Sequence, residues 1–205
     1  MERLIIVTGA SRGIGATIAI QANRKYASNT IFLLIARDEQ KLSQVKDEMV
    51  SQSPLNRVLS IKIDFGLDIN KNQIVSLMKK SFDQDELNDV KELFIFYNHG
   101  TLRLESIELA EEAAKKEFQI NVFSVWTLIS AFKELFPLEN IPLQFHINIS
   151  SLMATLALKN YSAYCTNLYE QGKFVQPEQT VERLWRILVK NDFENGSVID
   201  FYDSE

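Results

Sequence analysis

The chain has 205 residues, 46% of them hydrophobic and 24% charged, and a formal net charge of −5 at pH 7. That length and apolar content suffice for one well-filled core and hardly for two, so a single domain over residues 1–205 is expected. The acidic balance, with no run of Lys or Arg, argues against nucleic acid or an anionic membrane as the principal partner and turns attention to small-molecule chemistry.

The one cysteine, Cys165, cannot close an internal disulfide, which fits a reducing compartment and a cytoplasmic location. No stretch approaches the roughly 18 apolar residues of a membrane span, and the apolar start "LIIVTGA" is too short for a signal-peptide core. It reads instead as a first strand, Leu4–Thr8. "IVTGASRGIGATIA" follows, with Gly9, Gly13 and Gly15 spaced G-x-x-x-G-x-G between that strand and a helix over Gly13–Asn23. Residues without Cβ let the backbone approach a pyrophosphate, whose charge meets the free N–H groups and positive dipole end of the helix. The chain has only seven glycines, so this cluster points to a nucleotide loop rather than to a plain tight turn.

Further along, strands are predicted at Thr30–Ala36, Arg57–Asp64, Leu93–Asn98, Leu143–Ser150 and Ser197–Phe201. Helical spacing covers Asp38–Ser51, Asn70–Ser81, Glu105–Phe136 and Glu178–Asn191. This alternation predicts an α/β fold, a parallel sheet covered on both faces. From Ser151 to Gln176 the rhythm breaks, and no convincing strand is found. His146, in "FHINIS", reads as a buried strand histidine, and two histidines with one cysteine give no basis for a metal site.

"TGASRGIG" resembles the cofactor loop of the short-chain dehydrogenase/reductase family, here Gly9, Ser11, Arg12, Gly13, Ile14 and Gly15. More of that family's pattern follows in order: Asp64 and Phe65 after the third strand, Asn98 and Gly100 in "NHG", Asn121 in the next helix, then Ser151 and Tyr164. His99 stands where the family has a small residue, a departure that would narrow the site near the adenine ribose. The resemblance implies a doubly wound, Rossmann-type fold and hydride transfer to or from NAD or NADP. Strand two ends "LLIARD", so Arg37 stands where an NAD enzyme would present a carboxylate, and Arg12 is a second clamp for a 2′-phosphate. NADP(H) is the expected cofactor. Asp38 either pairs with Arg37 or caps the next helix.

By the same resemblance Tyr164 is the proton donor to a small-molecule carbonyl substrate, Ser151 the hydroxyl that holds the carbonyl oxygen, and Asn121 the residue that holds a relay water. The family places a lysine four residues beyond the tyrosine, where this chain has Leu168. The pattern is followed up to Cys165 and again in the last helix and strand. A segment on the order of 50 residues, carrying the lysine, its helix, a strand and a lid, is therefore expected to be missing between Cys165 and Leu168. The tail "NDFENGSVIDFYDSE" resembles that of pterin-reducing members of the family, which makes Asp200 a candidate to bind a pterin; a solvated terminal acid is the other reading. The family also implies a homodimer. Two functions stay open beside pterin reduction: a reductase of other small diketones, and an inactive NADP-binding sensor or scaffold that has lost its lysine.

Overall fold

Apolar runs of strand length alternate with amphipathic segments from Arg3 to Asn148, and they build a wholly parallel sheet of five strands. The strands are β1 Arg3–Thr8, β2 Thr30–Ala36, β3 Arg57–Lys62, β4 Glu92–Tyr97 and β5 Leu143–Asn148, in the order β3-β2-β1-β4-β5. This computed structural model describes residues 2–82, 84–101, 110–141, 143–149 and 177–190. Two units are distinguished, Met1–Ile149 and Ser150–Glu205.

In the first unit β1 and β2 are buried on both faces, which is why they read as unbroken apolar runs rather than alternating ones. Leu4, Ile6, Ile31, Leu33, Leu93 and Ile95 face one side, where α3 (Lys71–Ser81) contributes Ile74, Val75 and Met78 and a later helix contributes Leu128, Ala131 and Phe132. Ile5, Val7, Phe32 and Leu34 alternate with them by the two-residue period of a strand and face the other side. There α1 (Gly13–Lys25) buries Ile18, Ala19 and Ala22, and α2 (Glu39–Gln52) buries Leu42 and Met49. The ends of these five strands and of α1, α2 and α3 lie within two residues of their predicted places. The strand order reverses between β1 and β4, and in sheets of this kind the crevice at that reversal, beyond the strand carboxyl ends, is where ligands bind.

One long predicted helix, Glu105–Phe136, is helical throughout its described part, from Ala110 to Leu135, but its α-helical bonding is interrupted by a π-turn. After a short α4 (Gln84–Asn88), which the sequence did not suggest, and β4, the described chain runs through α5 (Ala110–Phe118), a π-turn (Gln119–Phe123) and α6 (Ser124–Leu135). At the π-turn the Ser124 N–H bonds to the Gln119 carbonyl, one residue further back than α-helical bonding would take it. His146 also differs from expectation. It lies on β5 with Nδ1 2.9 Å from the Tyr97 hydroxyl, but it is exposed, because among the described residues β5 ends the sheet and pairs only with β4. The second unit is described through α7 (Pro177–Lys190), which buries Val181, Trp185 and Leu188 along one stripe. The predicted strand Ser197–Phe201 lies outside the described residues, and among the described residues no helix is long and apolar enough to cross a membrane.

A buried polar knot fixes α1 against α2 and the start of β3. Asn23 donates from Nδ2 to the Met49 carbonyl (2.8 Å), accepts at Oδ1 from Asn56 Nδ2 (2.9 Å), and its own carbonyl accepts from the Ser53 hydroxyl (3.2 Å). Truncating it leaves a buried amide of Asn56 short of a partner. Asn23→Ala is expected to lower the unfolding free energy by about 1–3 kcal/mol in urea denaturation, and an unchanged midpoint would contradict this role.

Candidate active site

The glycine loop is shaped by close approach of backbone to backbone. A Cβ on Gly15 would lie 2.3 Å from the Gly9 carbonyl oxygen and 2.5 Å from Asn98 Nδ2, so the first turn of α1 sits directly on the end of β1. Gly13 has φ +55° with open space around it, a position set by backbone conformation rather than crowding. The Ala10 N–H donates to the Ile35 carbonyl (3.2 Å), which ties the loop to the end of β2.

The start of α1 also differs from its neighbours in capping. Asp38 accepts from the Lys41 N–H at the start of α2 (3.1 Å), and Asn70 and Gln73 form a capping box on α3. Arg12 at the N-cap of α1 makes no such bond, and the first turn holds no acidic residue. The N–H groups and positive dipole end there remain available to an anion. A glycine cradle with an uncapped helix start suits the pyrophosphate of a dinucleotide, so the residues present fit that cofactor.

Asp38 therefore caps the helix, and its carboxyl is held below the usual range chiefly by the Lys41 N–H. Arg37 is exposed, as is Arg12, and among the described residues neither side chain is engaged in an ion pair or hydrogen bond. Asp64 accepts from the Gly66 N–H at 2.9 Å and so shapes the turn after β3, with Phe65 buried behind it.

Opposite the glycine loop, at the end of β4, Asn98 donates from Nδ2 toward the Thr8 and Gly9 carbonyls (3.3 and 3.5 Å), clasping the ends of β1 and β4 together. Gly100 lies beside Asn121, whose side-chain amide pairs with the backbone of Thr101 in both directions, each bond 2.8 Å. The His99 ring turns inward, stacked on Phe65 with centroids 3.9 Å apart, with Nδ1 2.7 Å from the Thr8 hydroxyl and Nε2 2.7 Å from the Ser124 hydroxyl. Burial pushes its pKa down to about 4, against a smaller upward pull from the Ile120 carbonyl, so it is neutral at pH 7. The structure thus brings together Gly9, Gly15, Asn98, Gly100 and Asn121. Ser151, Tyr164 and Asp200 lie outside the described residues. Thr8, Thr101 and Ser124 were not singled out from the sequence, where single hydroxyls in a strand, a loop and a helix carry no signal.

The sequence profile of the short chain dehydrogenase family matches residues 3–167. The chain belongs to that family. As a short-chain dehydrogenase it is an oxidoreductase that works with a nicotinamide dinucleotide on CH–OH or carbonyl groups. The sepiapterin reductase of Meriones unguiculatus is 23% identical over 254 residues, covering 97% of this chain and 96% of that protein. Since 97% of 205 residues is about 199, about 55 residues of that alignment face no residue of this chain. The benzil reductase ((S)-benzoin forming) of Bacillus cereus is 26% identical over 182 residues, covering 88% of this chain and 69% of that protein. Among solved structures, the alcohol dehydrogenase of Thermococcus sibiricus complexed with 5-hydroxy-NADP superposes with a TM-score of 0.62 at 20% identity, covering 92% of this chain and 72% of that one.

The two kinds of glycine separate experimentally. Gly15→Ala, which drives a methyl group into backbone, is expected to cost about 3 kcal/mol. Gly13→Ala, which meets only its own φ, is expected to cost about 1 kcal/mol. Thermal melts of the two variants check this order, and an equal or larger loss in Gly13→Ala would contradict the close approach at residue 15.

Proposed function

We propose that the protein is an NADPH-dependent carbonyl reductase of the sepiapterin reductase type, reducing the side-chain ketone of a pterin. The observation that carries the cofactor choice is the uncapped, glycine-lined start of α1 together with Arg12 and Arg37, both exposed and unengaged among the described residues. The pterin rests on the 23% identity to sepiapterin reductase and on the "DFYD" tail.

In this reading the N–H groups at the start of α1 bind the pyrophosphate, and Arg12 and Arg37 bind the 2′-phosphate, with Arg able to offer paired donors. Asn98, clasping the ends of β1 and β4 together, fixes the floor on which the cofactor would lie. The bound dinucleotide supplies the hydride. Tyr164 gives its phenolic proton to the carbonyl oxygen as charge develops there, Ser151 donates a hydrogen bond to the same oxygen, and Asn121 holds the water that restores the proton. Asp200 accepts from the amino and ring N–H groups of the pterin.

A tyrosine with a pKa near 10 needs a nearby cation to work at neutral pH, and Leu168 cannot be one. We place the missing lysine in the natural protein, within the roughly 55 residues that the Meriones relative has and this chain lacks. The family match ends at residue 167, beside the junction expected at Cys165 to Leu168. Intact mass of the protein purified from its source is expected to exceed that of the 205-residue chain, and a mass equal to it would remove the segment. A homodimer is supported by Phe118, Val122 and Trp126, which are 58%, 37% and 74% exposed and recur every four residues along α5, the π-turn and α6. A cytoplasmic location is supported by the single Cys165, which can close no internal disulfide.

The test is NADPH oxidation by the natural protein with sepiapterin and with simple diketones such as benzil. Turnover of sepiapterin is expected. Turnover of diketones alone would remove the pterin and leave the reductase, and turnover of no carbonyl would favour the inactive sensor. Tyr164→Phe is expected to lower kcat by about a hundredfold to ten-thousandfold and to leave NADPH binding unchanged.

A further inference from the structure

The hydroxyl of Thr8 has one hydrogen and two lone pairs. It accepts from the backbone N–H of Asn98 (2.9 Å) and of His99 (3.2 Å), which fills the lone pairs. Its hydrogen is left with two places to go: His99 Nδ1 at 2.7 Å and the Phe96 carbonyl at 3.1 Å. Nδ1 is the nearer, and were Nδ1 itself protonated it would face an oxygen with no lone pair to spare. Nδ1 therefore accepts, and in the neutral ring the proton sits on Nε2. Nε2 donates to the Ser124 hydroxyl at 2.7 Å, and that hydroxyl donates onward to the Ile120 carbonyl at 2.6 Å. The donors all point one way, from β1 through His99 into the helix.

The chain of bonds ends at the π-turn. The Ser124 N–H is taken by the Gln119 carbonyl, so in the α-helical sense the Ile120 carbonyl has lost its partner, and the Ser124 hydroxyl replaces it. Asn121 is the next residue. We propose that His99 is a positioning residue for Asn121: by joining Thr8 to Ser124 and the Ile120 carbonyl, it holds the π-turn at a fixed distance from the glycine loop. A small side chain at 99 could not span from Thr8 to Ser124. The proposal rests on the reading of Asn121 as a catalytic residue, and it concerns only what holds Asn121 in place.

The test compares His99→Ala, Ser124→Ala, the double variant, His99→Gln and Asn121→Ala in the natural protein with NADPH and a carbonyl substrate. His99→Ala and Ser124→Ala are each expected to lower kcat by about tenfold to a hundredfold, as a small misplacement of a reacting group does, with KM for NADPH unchanged. The double variant should be no slower than the slower single one, because both cut the same chain. His99→Gln, whose amide N–H can reach Ser124, should recover most of the rate. In hydrogen exchange, residues 119–125 should exchange faster in His99→Ala while 3–8 stay protected, whatever the turnover. Unchanged exchange there would overturn the proposal. So would normal kcat in His99→Ala and Ser124→Ala beside a slow Asn121→Ala, or losses that simply multiply in the double variant. A normal kcat in Asn121→Ala would instead overturn the catalytic reading of Asn121 and this proposal with it, a result distinct from failure of the link alone.

Discussion

The first turn of α1 rests on bare backbone, and the rest of the site depends on that contact. With 2.3 Å between a would-be Cβ of Gly15 and the Gly9 carbonyl oxygen, no side chain of any kind can stand at position 15 without parting α1 from β1. The contact puts a helix N-terminus at the carboxyl end of the central strand, at the point where the strand order reverses. The groups left open to an anion at the start of α1 are main-chain N–H groups, with the exposed side chains of Arg12 and Arg37 at the rim.

From that contact the site is assembled outward by polar groups of β1 and β4. Asn98 clasps the two strand ends, the Thr8 hydroxyl gathers two backbone N–H groups and the His99 ring, and Asn121 pins Thr101 through paired amide bonds. The bonds of Asn98 and of Thr8 are half-buried, where an unmade hydrogen bond is costly, so each partner narrows the positions open to the next, while the Asn121–Thr101 pair lies exposed at the rim. The apolar core beneath supplies the rigidity, with Leu128, Ala131 and Phe132 of α6 anchoring the helix that carries the π-turn against the sheet. Asn121 thus stands on a helix fixed from below by packing and from the side by hydrogen bonds.

The strands were legible because burial on both faces leaves unbroken apolar runs at their centres, Leu4 to Val7 in β1 and Ile31 to Ala36 in β2. The glycine loop was legible because close approach excludes side chains. The π-turn was not: Glu105–Phe136 keeps a helical period through it, and one extra residue in a turn leaves the apolar stripe nearly in register. The role of Asp38 needed coordinates, since a carboxylate before a helix is equally placed for a cap and for its neighbour Arg37. His146 misled because a histidine in an apolar strand looks buried, whereas β5 has a neighbour on one side only among the described residues. The contacts of Thr8 and Ser124 join positions 116 residues apart, and no local pattern announces them.

The account stands or falls on a main-chain cradle with two arginines that reads NADPH. Titrating the purified protein with NADPH and with NADH, followed by the change in nicotinamide fluorescence, tests it most directly. Charge-assisted bonds to the 2′-phosphate predict saturable binding with NADPH about tenfold to a hundredfold tighter than NADH. Equal or tighter binding of NADH, or no saturable binding of either, would contradict it.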